Sequence, residues 1–198
     1  LGVPFSVLSS VGSHSRGALL ALFAMLLMLF LKSRRKILLL TVILASIPLL
    51  IAFLPSEWFN RMETIQTYDQ DASAMGRINS WHMAFNLACD RITGGGFALA
   101  NTEVFSRYAP DPTIPLAAHS IYFQILGEHG FIGLFLFLSF WMVSWMQARW
   151  VIRTAPRYED LKWMESLARM LQVSLMAFAV GGAFLSMSYW DMPYYAVV

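Results

Sequence analysis

His119 stands directly ahead of an apolar run, in the stretch Ala118-His119-Ser120-Ile121-Tyr122-Phe123-Gln124-Ile125-Leu126-Gly127-Glu128-His129-Gly130. An ionisable group at the mouth of a membrane-entering segment is costly to hold there, which marks it as a candidate functional site. Imidazole titrates near neutrality and suits proton transfer. The other candidates are Arg16, Arg77, Arg91, Arg107, Glu128 and His129. Guanidinium groups bind phosphate oxygens through paired N–H donors. One imidazole among several guanidiniums fits a transfer reaction whose leaving group is a phosphate ester. The base takes the proton of the attacking hydroxyl, and the arginines neutralise the departing pyrophosphate, so no separate strong acid is needed.

Structural roles compete with each assignment. His119 could cap a helix or bond a loop carbonyl, and Arg16 could anchor in lipid headgroups. Arg77 could pair with Asp71 or Asp90, Arg91 and Arg107 could steady a loop, and His129 could serve packing.

Other chemistries find little support. Glu128 and His129 lie nine and ten residues beyond His119, more than two helical turns, and no HExxH or CxxC is present, so no metal is expected. Gly94-Gly95-Gly96-Phe97 lacks the lysine of a phosphate-binding loop, and there is no Gly-x-Ser-x-Gly elbow. No cofactor is implied. The lone Cys89 forms no internal disulfide and reads as a packing residue.

The elements that must position these groups are those of a membrane protein. Hydrophobic residues make up 58% of the chain and charged ones 13%, too little polar surface for a soluble domain of this size. Lys32, Arg34, Arg35 and Lys36 form one basic cluster, and Arg149, Arg153, Arg157, Lys162 and Arg169 a looser second. Each abuts an apolar block, which suits a bilayer anchor and not a nucleic-acid surface.

The apolar blocks predict four crossings: 17–31, 37–54, a long helix over 119–151, and 167–190. Trp141, Trp145 and Trp150 would sit toward the far interface. No span carries a midplane charge or an obvious break. Both basic connections fall on one side, which the positive-inside rule makes cytoplasmic, so Arg16 and His119 share the outer side. The expected division is 1–55, spans with a basic turn; 56–118, an outer loop domain; and 119–198, further spans. Within the loop, 76–91 has Ile78, Trp81, Phe85 and Ala88 at helical spacing, predicting an amphipathic helix that the glycine triplet ends. Gly127, Gly130 and Gly133 would form a close-packing face, and Gly181 and Gly182 another. Both chain ends look cut through membrane segments, the expectation for a piece of a larger protein.

Three motifs together carry a resemblance. Ser15-Arg16-Gly17 opens a span; Gly76-Arg77 precedes Trp81, Ala84 and Asp90-Arg91-Ile92-Thr93-Gly94-Gly95-Gly96-Phe97; His119 precedes Gly127-Glu128-x-Gly130-x-x-Gly133. In this order the chain resembles the O-antigen ligase and polymerase superfamily. The wording around His119 is most similar to the O-glycosylation ligases associated with exosortase A systems.

The resemblance implies an all-α, multi-span, GT-C-like helical bundle in the bacterial inner membrane, with a large periplasmic loop carrying amphipathic helices. It implies metal-independent, inverting transfer of a glycan from an undecaprenyl pyrophosphate carrier to a lipid, protein or sugar acceptor on the periplasmic side. His119 would activate the acceptor hydroxyl, Arg16 and Arg77 would hold the pyrophosphate, and Arg91 and Glu128 would support them. A polysaccharide polymerase or a protein O-oligosaccharyltransferase shares these motifs. A non-catalytic transporter of lipid-linked glycan is the reading from another class, and it would favour broken or charged midplane helices.

Overall fold

The computed structural model describes residues 16–33, 35–53 and 72–197. The ordered elements there are helical: α1 Arg16–Lys32, α2 Lys36–Phe53, α3 Ala72–Asp90, α4 Thr102–Tyr108, α5 Ile121–Thr154, α6 Lys162–Gly182 and α7 Asp191–Tyr195. No strand occurs among the described residues, as an all-α fold requires. The start of the expected loop domain, and Asp71 with it, lies outside them. The chain divides into two compact units, 1–66 with 148–181 and 67–147 with 182–198.

In the first unit α1 is an unbroken run of Leu, Ala, Met and Phe, strong or tolerated helix formers, closed by Lys32 where a cation suits the helix C-terminus. A three-residue connection joins α1 to α2, whose described side chains are exposed. α1 and α6 run antiparallel. Lys32 at the end of α1 donates from Nζ to Oε1 of the buried Gln172, while Ala21, near its start, meets Gly181 at the end of α6. Gly181 therefore does admit a close helix contact.

The four crossings are only partly matched. Among the described residues one helix, 121–157, is long and apolar enough to cross a bilayer, and 17–32 is apolar but shorter. α6 ends at Gly182 and does not reach Trp190.

In the second unit α3 forms where the spacing predicted it, but on a different face. Its buried residues are Gly76, Ser80, Met83, Ala84, Leu87 and Ala88, whereas Phe85 is exposed. Small side chains at four-residue intervals let the neighbouring backbone approach, while Phe85 is turned outward. Cys89 is exposed too, contrary to the packing role expected of it. The polar Asn101 caps α4, its side chain accepting from the Val104 N–H at 2.9 Å. Phe105, fully buried, fills the space against Met83 and Leu87.

α5 is broken. It begins at Ile121, and at Gly130 the backbone adopts φ 65° and ψ −164°, a region open almost only to glycine. The single helix expected over 119–151 is therefore two segments, and the expectation of unbroken spans does not hold. A break deprives the carbonyls of Gly127 and Glu128 of their helical donors. The amides of Gly95 and Gly96 replace them, at 2.9 and 3.0 Å. A Cβ on Gly130 would overlap the carbonyl of Ile92, and Gly127 faces Ala84 and Leu99. Gly133 meets only His129 of its own helix, so two of the three glycines form the close contact. Further along, Trp141 packs within Phe137, Phe140 and Tyr194 of α7, so it belongs to an aromatic cluster and does not stand alone at an interface.

Candidate functional site

α3 holds the segment that carries His119 at four points. Asn79 and Asp111 exchange two hydrogen bonds, Nδ2 to the Asp111 carbonyl at 2.8 Å and the Asp111 N–H to Oδ1 at 2.9 Å. The Ser80 hydroxyl, buried, shares its proton between the carbonyls of Gly76 and Leu116, each at 2.9 Å. Trp81 donates from Nε1 to the Ala118 carbonyl at 2.7 Å and stacks on Phe123 with 4.9 Å between ring centroids. Gly76 admits the Leu116 side chain to a place that a Cβ would occupy at 2.5 Å.

His119 follows this tethered stretch at φ 45°, in the left-handed region that a non-glycine residue enters at a cost of about 1–2 kcal/mol. Such strain persists only where the surroundings over-determine it. Its ring makes no hydrogen bond to another described residue, so neither the helix-cap role nor the carbonyl-partner role is filled.

Arg77 belongs to the same turn of α3 as Ser80 and Trp81. Its Nε is buried and finds no hydrogen-bond partner among the described residues. Asp90, one partner considered for it, is engaged by the Tyr108 hydroxyl at 2.5 Å and by Arg107 at 3.6 Å. That pairing holds the Tyr108 phenol above its usual range, chiefly through the hydrogen bond to Asp90. Arg107 thus does steady the loop, as one reading of it required.

Arg91 lies just past α3, about 21 Å along the helix axis from Arg77 at 1.5 Å per residue. Its side chain is exposed, and its carbonyl accepts from the Gly94 N–H at 2.8 Å. The two arginines therefore stand at opposite ends of the helical stretch. Arg16 opens α1 in the first unit.

Glu128 is the hub of a second cluster. It accepts from the Tyr189 hydroxyl and, at 3.4 Å, from Gln124. His129 Nε2 lies 2.9 Å from the same hydroxyl and its ring meets Phe97 edge-on at 5.4 Å, a structural setting for this histidine. Ser188 joins Gln124 at 3.0 Å and the Ile121 carbonyl at 3.2 Å.

Sequence reasoning passed over Asn79, Ser80, Gln124 and Tyr189. The first two had a faint signal, as polar residues of an amphipathic helix; Tyr189, sixty residues beyond its partner, had none.

These features define a helical, membrane-associated protein with a tethered histidine close in the fold to an unpaired arginine. The family model described as O-antigen ligase matches residues 1–138, and the chain belongs to that family. The match includes Arg16, Arg77, Arg91, His119 and Glu128 and ends within α5. No curated protein and no solved structure matches the chain. Membership makes it a glycan-transferring, glycosyltransferase-like enzyme whose partners are in general a lipid-linked glycan and an acceptor.

Proposed function

We propose that the protein is a ligase that moves a glycan from undecaprenyl pyrophosphate to an acceptor hydroxyl at the periplasmic face of the bacterial inner membrane. It is multi-pass, with spans over 1–55 and 119–198 and a periplasmic domain over 56–118, and of the kind associated with exosortase A systems. The observation that carries the reading is the strained, tethered backbone of His119, fastened by Ser80 and Trp81 to the helix of Arg77.

His119 takes the proton of the acceptor hydroxyl. The oxygen attacks the anomeric carbon from the side opposite the diphosphate, the anomeric C–O bond breaks, and undecaprenyl pyrophosphate leaves with the electron pair. Arg77 neutralises its growing charge, with Nε as one unspent donor. Arg16 shares in holding the pyrophosphate, a role it takes from the motif that it matches. Glu128 supports the site from α5, and Arg91 supports the loop that braces the Gly130 break.

The test is transfer in vitro from a defined undecaprenyl pyrophosphate glycan by the full-length protein. His119→Ala is expected to lower kcat by about 10²–10⁴-fold, the range of a lost general base. Arg77→Ala is expected to lower kcat/KM for the donor. Unchanged product from both variants would remove the assignment, and abolition of transfer by EDTA would remove the metal-independent mechanism.

A further inference from the structure

A cavity of about 190 Å³ lies in the second unit beside the peptide that precedes His119. That is the space of about six liquid waters, on the scale of one sugar ring. Its walls are largely small and apolar, Ala98, Ala100, Ala117 and Ala118 among them, with Phe123 at one side. Against them stand Gln124 and Glu128, one helical turn apart on α5, with Ser186 as a third polar residue of the lining.

Neither group is saturated. A carboxylate offers about four lone-pair positions, and Glu128 receives Tyr189 on Oε2 and only a long 3.4 Å contact from Gln124 on Oε1. The Gln124 carbonyl oxygen accepts from Ser188 at 3.0 Å, which leaves a second amide hydrogen free.

This lining selects among possible occupants. An acyl chain would desolvate Oε1 of the carboxylate while offering it no donor beyond the long Gln124 contact, which is costly. A phosphate would face a carboxylate with no cation at its side. A neutral, hydroxyl-rich ring satisfies an acceptor and a donor set one turn apart and lays its apolar face on alanine and Phe123. Resting on the ligase reading, we propose that this cavity is a subsite for one sugar ring, with Glu128 accepting from a ring hydroxyl and Gln124 donating to its neighbour. Ala118 of the cavity wall immediately precedes His119 in the chain. The ring comes from the transferred glycan or from a sugar acceptor, and kinetics with each substrate varied in turn separates the two.

The experiment uses purified full-length protein and two readouts. In transfer assays Glu128→Gln and the cavity-filling Ala100→Leu raise KM about ten- to a hundredfold for whichever substrate supplies the ring, the scale of a lost hydrogen bond to a charged group, with kcat changed far less. Glu128→Gln keeps the size of the side chain and an acceptor for the Tyr189 hydroxyl, so a Glu128 that served only to hold Tyr189 would leave KM within about twofold of wild type. That result overturns the subsite.

In saturation-transfer NMR, methyl glycosides of the donor and acceptor sugars give a signal with wild type and with His119→Ala, and lose it with Ala100→Leu. A binding signal without any transfer leaves the subsite standing and removes the ligase reading. Loss of transfer in His119→Ala, with KM and signal untouched by Glu128→Gln and Ala100→Leu, does the reverse.

Discussion

At the scale of the residue, the informative property of His119 is its backbone. At φ 45° an L-residue pays for its Cβ against its own carbonyl, and glycine does not. His119→Gly should therefore leave thermal stability unchanged or raise it by about 1 kcal/mol, while transfer falls at least as far as in His119→Ala. A histidine placed for structure behaves the other way, losing stability and keeping function. Denaturation in detergent alongside the transfer assay separates them, and a clear drop in melting temperature with transfer retained would count against the catalytic assignment. Trp81 offers the complementary change. Trp81→Phe keeps a ring against Phe123 and gives up the 2.7 Å bond to the Ala118 carbonyl. His119 then loses one tether, so kcat is expected to drop about tenfold or more, the effect of a small misplacement of a reacting group, with donor KM retained. An unchanged kcat would show that Ser80 and Gly76 suffice.

At the scale of the element, the break in α5 and the glycine turn after α3 form one structural unit. Gly130→Ala meets both an unfavourable φ and the Ile92 carbonyl. Its expected cost is about 2–5 kcal/mol, read as a shift in denaturation midpoint, and a cost under about 0.5 kcal/mol would mean that the break is incidental. The loop ahead of His119 carries a pH dependence. Asp111 accepts from the side chain and backbone of Thr113 at 2.6 and 2.9 Å, and these bonds hold its carboxyl below the usual carboxylate range. A depressed folded value means the contribution is present above about pH 4, the unfolded value, and is lost as pH falls through the folded one. Amide exchange in 111–113 should accelerate over that acid range, corrected for intrinsic rate, and Asp111→Ala should abolish the change.

These elements also show what the sequence could and could not disclose. Helical spacing in 76–91 was enough for α3, and the motif order was enough to single out Arg77, His119 and Glu128 as candidates. The buried face was misjudged because large apolar residues mark the core in water, whereas close backbone approach here selects Gly76, Ser80, Ala84 and Ala88. The break stayed hidden because Gly130 is one of three evenly spaced glycines, and only the arrival of Gly94–Gly96 from elsewhere in the chain tells it from the others.

At the scale of the whole molecule, the functional reading depends on orientation, because a lipid-linked glycan is handled on one face of the membrane. The proposed orientation rests on charge: in the four-crossing reading, Lys32–Lys36 and Arg149–Arg169 lie on one side of the bilayer and Arg16 and His119 on the other. The sequence supplies its own probe, since Cys89 is the lone cysteine of these residues and is exposed on α3. In the full-length protein, with any further cysteine replaced, a membrane-impermeant maleimide added to spheroplasts should label Cys89 without lysis. A Cys89→Ser protein carrying Asp160→Cys, in the exposed turn between α5 and α6, should be labelled only after the inner membrane is opened. Asp160 is a fair site because acidic residues contribute little to the orienting bias. The reverse pattern would put His119 on the cytoplasmic side and overturn periplasmic transfer, whatever its variants did to activity. Labelling of both sites before lysis would mean that no membrane separates α3 from the basic turn, and the four-crossing topology would fall with it.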